Sequence, residues 1–393
     1  MIAPTPRLLL CAIAIFAINS QAADTNSVIS NALSSNSASS NSLPDWALVP
    51  FVRPQNAQPV VSPDTNSVFD CPMRKMPIHW EARHTFNPAS VSKDGKIYLL
   101  YRAEDDSSKG GIGSLTSRLG LAASTDGIHF IKEPKPIFYP ADDNQKDWEW
   151  FGGCEDPRIT EGPDGTYYLT YSQYPRGTRS SWRVGLASSK DLHTWIKYGS
   201  PFTGTKYEDN HGLQRKSAAI VNEIKDGKLV AAKINGKYWM YFGEGCVNLA
   251  TSDDLIHWVP VEVSNGKPLE VMHTRRFFPD SNLDEIGPCP VLTDKGIIVF
   301  YNAKNGNPTK DGDPSLAGGV YTGMQALYDA KDPTKLIARL DHPFIKPELP
   351  WEKSGQYKQG TTFIEGLTLF HGKWFLYYGC ADTFVGTAIA PVK

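Results

Sequence analysis

Two acids and an arginine stand together in residues 152–159, which read GGCEDPRI. A carboxyl group in a desolvated pocket or beside a like charge keeps its proton to higher pH, so Glu155 and Asp156 could supply a general acid. Arg158 acts in the opposite sense, because a neighbouring cation favours the ionised carboxylate. The same residues could equally form a salt-bridged corner of the fold, and their spacing does not decide between the two.

Further polar groups end strand-like segments elsewhere in the chain. They are Arg102 with Glu104 and Asp105, then Glu244, Asn302 and Asp382. If equivalent strand ends face one channel, these groups converge. Carboxylates and arginines that converge near aromatic rings are typical of a sugar site, because hydroxyls need charged partners and pyranose rings need apolar surface. Trp148, Trp150 and Phe151 could supply that surface or belong to the core.

Repeated strands are predicted to position these groups. A turn followed by a segment of aromatic and β-branched residues occurs five times in the sequence. The segments are DGKIYLLYRA (94–103), DGTYYLTYSQ (164–173), NGKYWMYFGE (235–244), DKGIIVFYNA (294–303) and HGKWFLYYGC (371–380). Their glycines lie 70, 71, 60 and 76 residues apart, the length of a four-stranded sheet with its loops. A second repeat, a strand with an Asp turn and a closing aromatic residue, occurs as LAASTDGIHF (121–130), LASSKDLHTW (186–195) and LATSDDLIHW (249–258).

This period predicts an all-β fold, a five-bladed β-propeller with a central active-site channel, over residues 71–393. A large β-sandwich would explain the strands but leaves the period near 70 unexplained.

The amino-terminal region has a different character. Arg7, an apolar run over residues 8–18 and a small-residue site near Ala22 predict a signal peptide at 1–22, and eleven apolar residues are too few to cross a bilayer core of roughly 30 Å. Residues 23–70 are predicted to be a Ser/Asn- and Pro-rich flexible linker followed by an extended segment. We therefore expect a periplasmic or extracellular protein with no membrane span.

Composition excludes several classes of partner. Forty basic and 42 acidic residues give a formal net charge of −2, so bulk electrostatics predicts no nucleic-acid partner. The five cysteines beyond the signal are widely spaced, which leaves one or two disulfides open and matches no zinc motif. The sequence predicts no metal and no cofactor, and identifies no protein partner.

Six segments in this order resemble glycoside hydrolase family 130. They are FNPASV (86–91), YLLYRAED (98–105), SRLGLAASTDGIHF (117–130), GGCEDPRI (152–159), DEIGPCPVLTDKGIIVFYNAKN (284–305) and YYGCADTFVGTA (377–388). The resemblance implies a five-bladed propeller and an inverting single displacement on β-mannosides. That family contains phosphorylases, in which inorganic phosphate attacks, and hydrolases, in which water attacks.

The resemblance also implies roles for individual residues. Asp156 matches the proton donor, which delivers its proton through a sugar hydroxyl, and we expect its pKa to be raised because a donor must hold its proton at the working pH. Glu244 and Glu285 stand where the family's hydrolases carry acids, so we predict that one or both activate water. The predicted substrate-binding residues are Asn87, Arg102, Asp105, Arg118, Arg158, Arg183, Lys216, Asn302 and Asp382. For Asn87, Arg102, Asp105, Arg118 and Asp382, the alternative is a polar contact between blades. For Arg158, the alternative is a structural pair with Asp156 that joins two blades.

The choice of nucleophile depends on where the chain departs from the phosphorylase pattern. Phosphorylases of the family carry basic residues after the third repeated strand and a histidine after the fourth, where this chain has Glu244 and Asn302. An added carboxylate repels phosphate in a partly desolvated pocket. Arg183 and Lys216 match cationic positions of the family and keep phosphorolysis open.

We therefore predict an exported glycosidase, an exo-β-1,2-mannosidase that removes mannose from the non-reducing end of a mannose-containing oligosaccharide with inversion. One alternative is a β-mannoside phosphorylase, against which export argues, because a sugar phosphate is useful inside the cell. The other is a non-catalytic glycan-binding propeller, which would tolerate the loss of Asp156.

Overall fold

Antiparallel meanders, in which consecutive strands pair side by side, account for most of the chain. The computed structural model describes residues 43–105, 107, 115–176, 182–208, 213 and 216–392. The predicted signal peptide and residues 23–42 of the predicted linker region lie outside these residues. All described residues belong to one compact unit, Asn41–Lys393.

The strands are numbered in chain order. A hairpin comes first, with β1 (Phe69–Cys71) and β2 (Met76–Ile78). The first meander has β3 (His84–Lys93), β4 (Lys96–Glu104), β5 (Ser117–Ser124) and β6 (Ile131–Lys132). The second has β7 (Gly153–Glu161), β8 (Tyr167–Tyr174), β9 (Arg183–Ser189) and β10 (Ile196–Gly199).

The region of the third meander is more elaborate than the first two. Its strands are β11 (Ala218–Ile220), β12 (Asn222–Lys225), β13 (Lys228–Ala231), β14 (Lys233–Ile234), β15 (Lys237–Phe242), β16 (Cys246–Ser252), β17 (Trp258–Pro260) and β18 (Glu270–His273). The fourth meander has β19 (Leu283–Ile286), β20 (Val291–Leu292), β21 (Ile297–Lys304), β22 (Tyr321–Tyr328) and β23 (Leu336–Arg339). The fifth has β24 (Thr362–Phe370), β25 (Lys373–Cys380) and β26 (Phe384–Pro391).

The five repeated segments of the sequence form β4, β8, β15, β21 and β25, each an interior strand of its meander. The turn before β4 shows why the motif begins with Asp-Gly. Asp94 and Gly95 have φ values of +49° and +71°, as a two-residue type I′ hairpin turn requires. The strands are buried because aromatic and β-branched side chains pack on both faces.

The Asp turns of the second repeat are capped by their own side chains. Asp254 Oδ1 accepts the backbone N–H groups of Ile256 at 2.9 Å and His257 at 2.8 Å, while Ser252 Oγ accepts that of Leu255. The turns at Asp126 and Asp191 repeat this pattern. These local bonds make the turn recognisable in the sequence.

Apolar packing passes from each meander to the next. Five core clusters lie, in turn, between the first and second, second and third, third and fourth, and fourth and fifth meanders, and between the fifth and the first. In the last of these, Leu99 and Tyr101 pack with Phe375 and Tyr377.

The structure confirms the all-β prediction. Among the described residues, helical structure is confined to α1 (Lys146–Glu149) and a 3-10 turn (Pro350–Glu352). No hydrogen-bonded sheet in this part of the chain closes on itself. The five-bladed propeller therefore stays a prediction at this point.

The segment before β1 packs along the body. Val52 and Val61 each form a backbone bridge with the edge strand β26, at Ile389 and Val385. Arg53 extends to the fifth meander, where its guanidinium donates to Glu352 Oε1 at 2.7 Å and Oε2 at 3.0 Å. Amino-terminal residues thus hold the last strand of the chain.

Two other predictions from the sequence concern membrane spans and disulfides. Within the described ranges, no helix has the length and hydropathy needed to cross a membrane. Cys71, Cys154, Cys246, Cys289 and Cys380 are all buried free thiols.

Replacing Arg53 with alanine should lower the free energy of unfolding by about 3 kcal/mol, because it leaves the fully buried Glu352 carboxylate without its cation. Chemical denaturation measures this change. Lys190→Ala, which breaks the exposed pair with Asp164, is the control and should cost less than about 1 kcal/mol. Equal losses in the two variants would show that Arg53 does not stabilise the fold in this way.

Candidate active site

A β-bulge recurs at the same place in the first strand of three meanders. The strand register shifts at Asn87 in β3, at Asp156 in β7 and at Glu365 in β24. Asn87 and Asp156 have left-handed φ values of +45° and +47°. Because a bulge turns a side chain out of the normal alternation, each meander can aim one polar group inward.

Two of these groups, Asn87 and Asp156, line a cavity of about 380 Å³. The described residues that line it are Phe86, Asn87, Arg102, Glu155, Asp156, Ser172, Tyr174, Trp182, Lys216, Glu244, Glu285, Lys304, Tyr321, Gln356, Tyr357, Phe363 and Asp382. The lining includes all three predicted catalytic residues. Of the predicted binding residues, Asn87, Arg102, Lys216 and Asp382 reach it.

Arg102 is the first of two cations that hold the carboxylates together. Its guanidinium lies 2.7 Å from Glu104, 2.9 Å from Glu155 and 3.0 Å from Asp156, over the ring of Phe86. Asp156 Oδ1 also accepts a hydrogen bond of 2.9 Å from Asn87 Nδ2. One side of the Asp156 carboxylate is therefore fully engaged.

Lys216 is the second cation. Its Nζ lies 3.4 Å from Asp156 Oδ2, 3.2 Å from Glu285 Oε1 and 3.9 Å from Glu244 Oε2. Ser217, with a left-handed φ of +58°, donates its hydroxyl to Glu285 Oε1. The lysine thus stands among the three residues predicted to carry out catalysis.

Backbone geometry places Glu244 beside Glu285. The two residues form a backbone bridge, and Gly245 N donates to Asp284 O at 2.8 Å. Gly243 has a φ of +137°, and a Cβ there would lie 2.1 Å from Cys246 O. Glycine is therefore required next to Glu244, whose side chain is 26% exposed while that of Glu285 is buried.

The predicted rise in the pKa of Asp156 is wrong. Burial alone would raise this pKa, but Lys216, Arg102 and Arg158 together with the hydrogen bond from Asn87 hold it well below its ordinary value. Asp156 is therefore a carboxylate in the unliganded protein. The sequence did not show that two cations converge on its side chain.

Other carboxyl groups at the cavity hold their protons more tightly. Burial raises the pKa of Glu155 to about 7 against the opposing effect of Arg102, and raises that of Glu285 to about 7 against the effect of Lys216. Burial also raises the pKa of Asp382 to about 7. Near neutral pH, protons can thus be exchanged among neighbours of Asp156.

Two predicted binding residues pair with each other instead of lining the cavity. Arg118 Nη1 lies 2.8 Å from Asp105 Oδ2, and both side chains are buried. The guanidinium also donates to the carbonyl of Thr116. Neither Asp105 nor Arg118 lines the described cavity, at which their contacts with a sugar were predicted.

Arg158 and Asn302 connect meanders. Arg158 donates to backbone carbonyls of its own and the fourth meander and lies 3.0 Å from Glu365 Oε1 in the fifth. Asn302 donates to Ile364 O at 3.0 Å and accepts from Ile364 N at 2.7 Å. Arg158 and Asn302 therefore make polar contacts between meanders. For Arg158, the sequence had left such a structural contact open.

Arg183 is also held away from the described lining. Its Nε donates to Gln173 at 2.8 Å, and its guanidinium lies 3.6 Å from the ring centre of Trp148. That contact also occupies a tryptophan that we considered as a sugar platform. Trp150 and Phe151 likewise do not line the described cavity.

Sequence reasoning missed most of the aromatic wall of the cavity. Tyr321 packs edge-on against Tyr357 and Phe363, with ring centres 5.4 and 5.8 Å away, and Lys304 Nζ lies 5.1 Å from the Tyr321 ring centre. Strand alternation from Asn302 could have found Lys304, which is two residues further on the same face. No repeat signal marks Tyr357, because it lies in a loop.

The arrangement is suited to proton transfer at a polar, neutral ligand. Carboxylates and cations alternate around the cavity, and aromatic rings lie on one side. In the part of the chain described here, no cluster of three metal-ligating side chains is present. The chemistry available from these residues is that of acids, bases and charged hydrogen-bond partners.

Comparisons with known proteins agree on one family. The family model for glycoside hydrolase family 130, described as beta-1,4-mannooligosaccharide phosphorylase, matches residues 52–393. A 1,2-beta-oligomannan phosphorylase of Thermoanaerobacter sp. (strain X514) is 33% identical over 82% of this chain and 94% of its own length. A beta-1,2-mannobiose phosphorylase of the same strain is 28% identical over 79% of this chain and 91% of its own.

Solved structures extend the comparison. One is reported with the statement that the GH130 family of mannoside phosphorylases contains glycoside hydrolases that target beta-1,2 mannosidic linkages in Candida mannan. It is 48% identical, with a TM-score of 0.86, and the match covers 89% of this chain and 96% of that one. A glycosyl hydrolase from Bacteroides ovatus is also 48% identical, with a TM-score of 0.85 and coverage of 90% and 98%.

The raised pKa of Glu285 predicts a pH effect on stability. The folded protein binds this proton up to about pH 7, whereas an unfolded chain releases it near pH 4.3, so its contribution to the free energy of unfolding is lost as the pH rises through this window. Glu285→Gln should therefore show a smaller loss of stability between about pH 5 and about pH 8 than the unaltered protein. Denaturation at both pH values tests this, with the exposed Asp294→Asn as the control. Parallel losses in all three proteins would contradict it.

Proposed function

Because the chain belongs to glycoside hydrolase family 130, an enzyme family that acts on β-mannosides, we propose that it cleaves mannose from the non-reducing end of a β-1,2-mannoside with water as the nucleophile and with inversion. The family assignment rests on a match that spans most of the chain. The linkage is supported by relatives whose names specify β-1,2-linked mannose. The choice of water rests on the geometry of the site.

The observation that carries this choice is the environment of Lys216. Its ammonium group already contacts three carboxylates, Asp156, Glu244 and Glu285. A phosphate dianion entering there would meet the carboxyl groups of Glu244 and Glu285 on the nucleophile side and a cation that already contacts both of them. Arg183, the other predicted phosphate ligand, lies against Trp148 instead. A neutral water molecule meets no such repulsion.

Each carboxylate then has a role in the reaction. Glu244 and Glu285, joined through their backbone bridge, take the proton of the attacking water. Asp156 supplies the proton to the leaving oxygen through a sugar hydroxyl, and it gains this proton when a neutral sugar replaces water in the cavity and raises its pKa. Glu155 and Asp382, whose pKa values are about 7, are the nearby proton source.

Substrate recognition uses the cavity residues that remain. Arg102 and Asn87 present donors beside Asp156, and the carboxylate of Asp382 has no hydrogen-bond donor among the described side chains. Charged groups of this kind bind sugar hydroxyls strongly. The Tyr321 and Tyr357 rings offer apolar surface for a second sugar unit.

Phosphorolysis is the second candidate, and the names of the curated relatives favour it over hydrolysis. Within the described cavity, Lys304 forms no ion pair and could contact a phosphate. In that case the donor stays Asp156, and phosphate takes the place of water. The product distinguishes the two reactions.

We extend the proposal to fold and location. The five apolar clusters pass from each meander to the next and from the fifth back to the first, which supports five blades around the cavity. The amino-terminal sequence supports export through a signal peptide, to the periplasm or the medium.

Product analysis tests the proposed reaction. Mature protein incubated with β-1,2-mannobiose should release α-mannose at the same rate with and without phosphate, as followed by proton NMR of the anomeric signals. Phosphate-dependent formation of mannose 1-phosphate would establish phosphorolysis instead. Binding of mannobiose without either product would establish a glycan-binding protein.

Asp156→Asn should reduce turnover by on the order of 100- to 10,000-fold while mannobiose still binds, because the amide keeps the oxygen facing Asn87 and Arg102 but cannot give up an acidic proton. Initial rates and calorimetric titration measure the two effects. The exposed Asp253→Asn is the control and should behave as the unaltered protein. Turnover within tenfold of normal in Asp156→Asn would remove this residue from the mechanism.

A further inference from the structure

Glu365 is a buried acid that none of the roles above explains. It is the extra residue of the β24 bulge, at the position that Asn87 and Asp156 occupy in their own strands. Its side chain is buried, and neither carboxylate oxygen has a hydrogen-bond partner among the described residues. It does not line the cavity, so it does not contact substrate.

The partner of Glu365 is Arg158, whose Nη2 lies 3.0 Å from Glu365 Oε1. The guanidinium N–H groups point to backbone carbonyls: Asp156 O at 2.9 Å, Ile286 O at 2.6 Å and Gly287 O at 3.2 Å. Arg158 therefore ties the backbone of Asp156 to the backbone next to Glu285. Glu365 therefore interacts with Arg158 as an ion pair, whereas the guanidinium makes its hydrogen bonds to backbone carbonyls.

This arrangement matters because the acid and the base lie on different meanders. Asp156 belongs to β7 and Glu285 to β19, and among the described residues the group that contacts both side chains is the flexible ammonium group of Lys216. The planar guanidinium of Arg158 supplies a rigid connection beneath the same two residues. A buried guanidinium needs a countercharge, and Glu365 is the carboxylate that contacts it.

We propose that Glu365 is a positioning residue that, by anchoring Arg158, fixes the separation between the proton donor Asp156 and the base Glu285. This inference rests on the proposed function, since it concerns the two carboxylates of that reaction. It explains why an acid with no substrate contact occupies the inward bulge of the fifth meander. Burial raises the pKa of Glu365, and the contact with Arg158 opposes this rise by favouring the charged carboxylate.

The test compares two buried glutamates that each pair with an arginine. Glu365→Gln should lower kcat for β-1,2-mannobiose by about 10- to 100-fold and leave KM within about threefold, because displaced catalytic groups slow the reaction without weakening binding. Glu352→Gln, which breaks the pair with Arg53 outside the cavity, should lower the melting temperature and leave kcat unchanged. Rates are measured with water or phosphate, whichever supports the unaltered enzyme.

A second variant covers the case in which Glu365→Gln does not fold. Arg158→Lys keeps a positive charge beside Glu365 but cannot reach three carbonyls at once, so it should show the same loss of kcat. A normal kcat in Glu365→Gln or in Arg158→Lys would overturn the inference. So would a rise in KM alone, or an equal loss of kcat in Glu352→Gln.

A crystal structure of Glu365→Gln gives a readout that needs no turnover. The Asp156 and Glu285 carboxylates should move apart or together by on the order of 1 Å, the scale on which misplacement slows catalysis. Unmoved carboxylates would overturn the inference. Absence of any turnover in the unaltered protein would count against the proposed function, and this structural result would still decide the role of Glu365.

Discussion

The site depends on one electrostatic constraint, which is that a buried volume contains fewer cations than carboxyl groups. Arg102 and Lys216 each contact three carboxylates, and Arg158 beneath them contacts Glu365. Charges taken out of water must be paired or must be neutralised by a proton. Asp156, which contacts both Arg102 and Lys216, stays ionised, whereas Glu155 and Glu285, which each contact one of these cations, keep protons to about pH 7. A repeated scaffold has thereby produced a set of carboxyl groups with different proton affinities, which is what acid and base catalysis at one centre requires.

A single backbone device delivers these groups. The bulges in β3, β7 and β24 each place one polar residue before a proline or a glycine, as in Asn87-Pro88, Asp156-Pro157 and Glu365-Gly366. In the third meander, whose described residues show no bulge at this point, Lys216 and Ser217 lie directly before the first strand, and Ser217 has a left-handed φ of +58°. Similar strands thus carry a hydrogen-bond donor, an acid, a cation and a buried anchor. The fold supplies the positions, and residue identity at one place in each repeat supplies the chemistry.

The sequence predicted what local physics determines. Recurrent turns, strand alternation and Asp-capped loops are encoded within a few residues, so the strands could be identified in advance. The resemblance to the family supplied the candidate catalytic carboxylates, and all three line the cavity. Contacts between meanders are not encoded in this way. Arg158 and Asn302 were expected at the sugar, but they connect meanders that are distant in sequence. Arg118 was also expected there, but it pairs with Asp105 inside the first meander. The pKa of Asp156 was misjudged for the same reason, because it is set by Arg102 and Lys216, which lie 54 and 60 residues away.

The bridges of Val52 and Val61 with β26 join the start of the described chain to its last strand. These pairings close a loop of more than three hundred residues, so their entropic cost must be met late, after the intervening meanders have formed. During synthesis the amino-terminal segment is made before its partner strand. It therefore has no strand partner until β26 has been made, and these two pairings can form only after all five meanders have been synthesised.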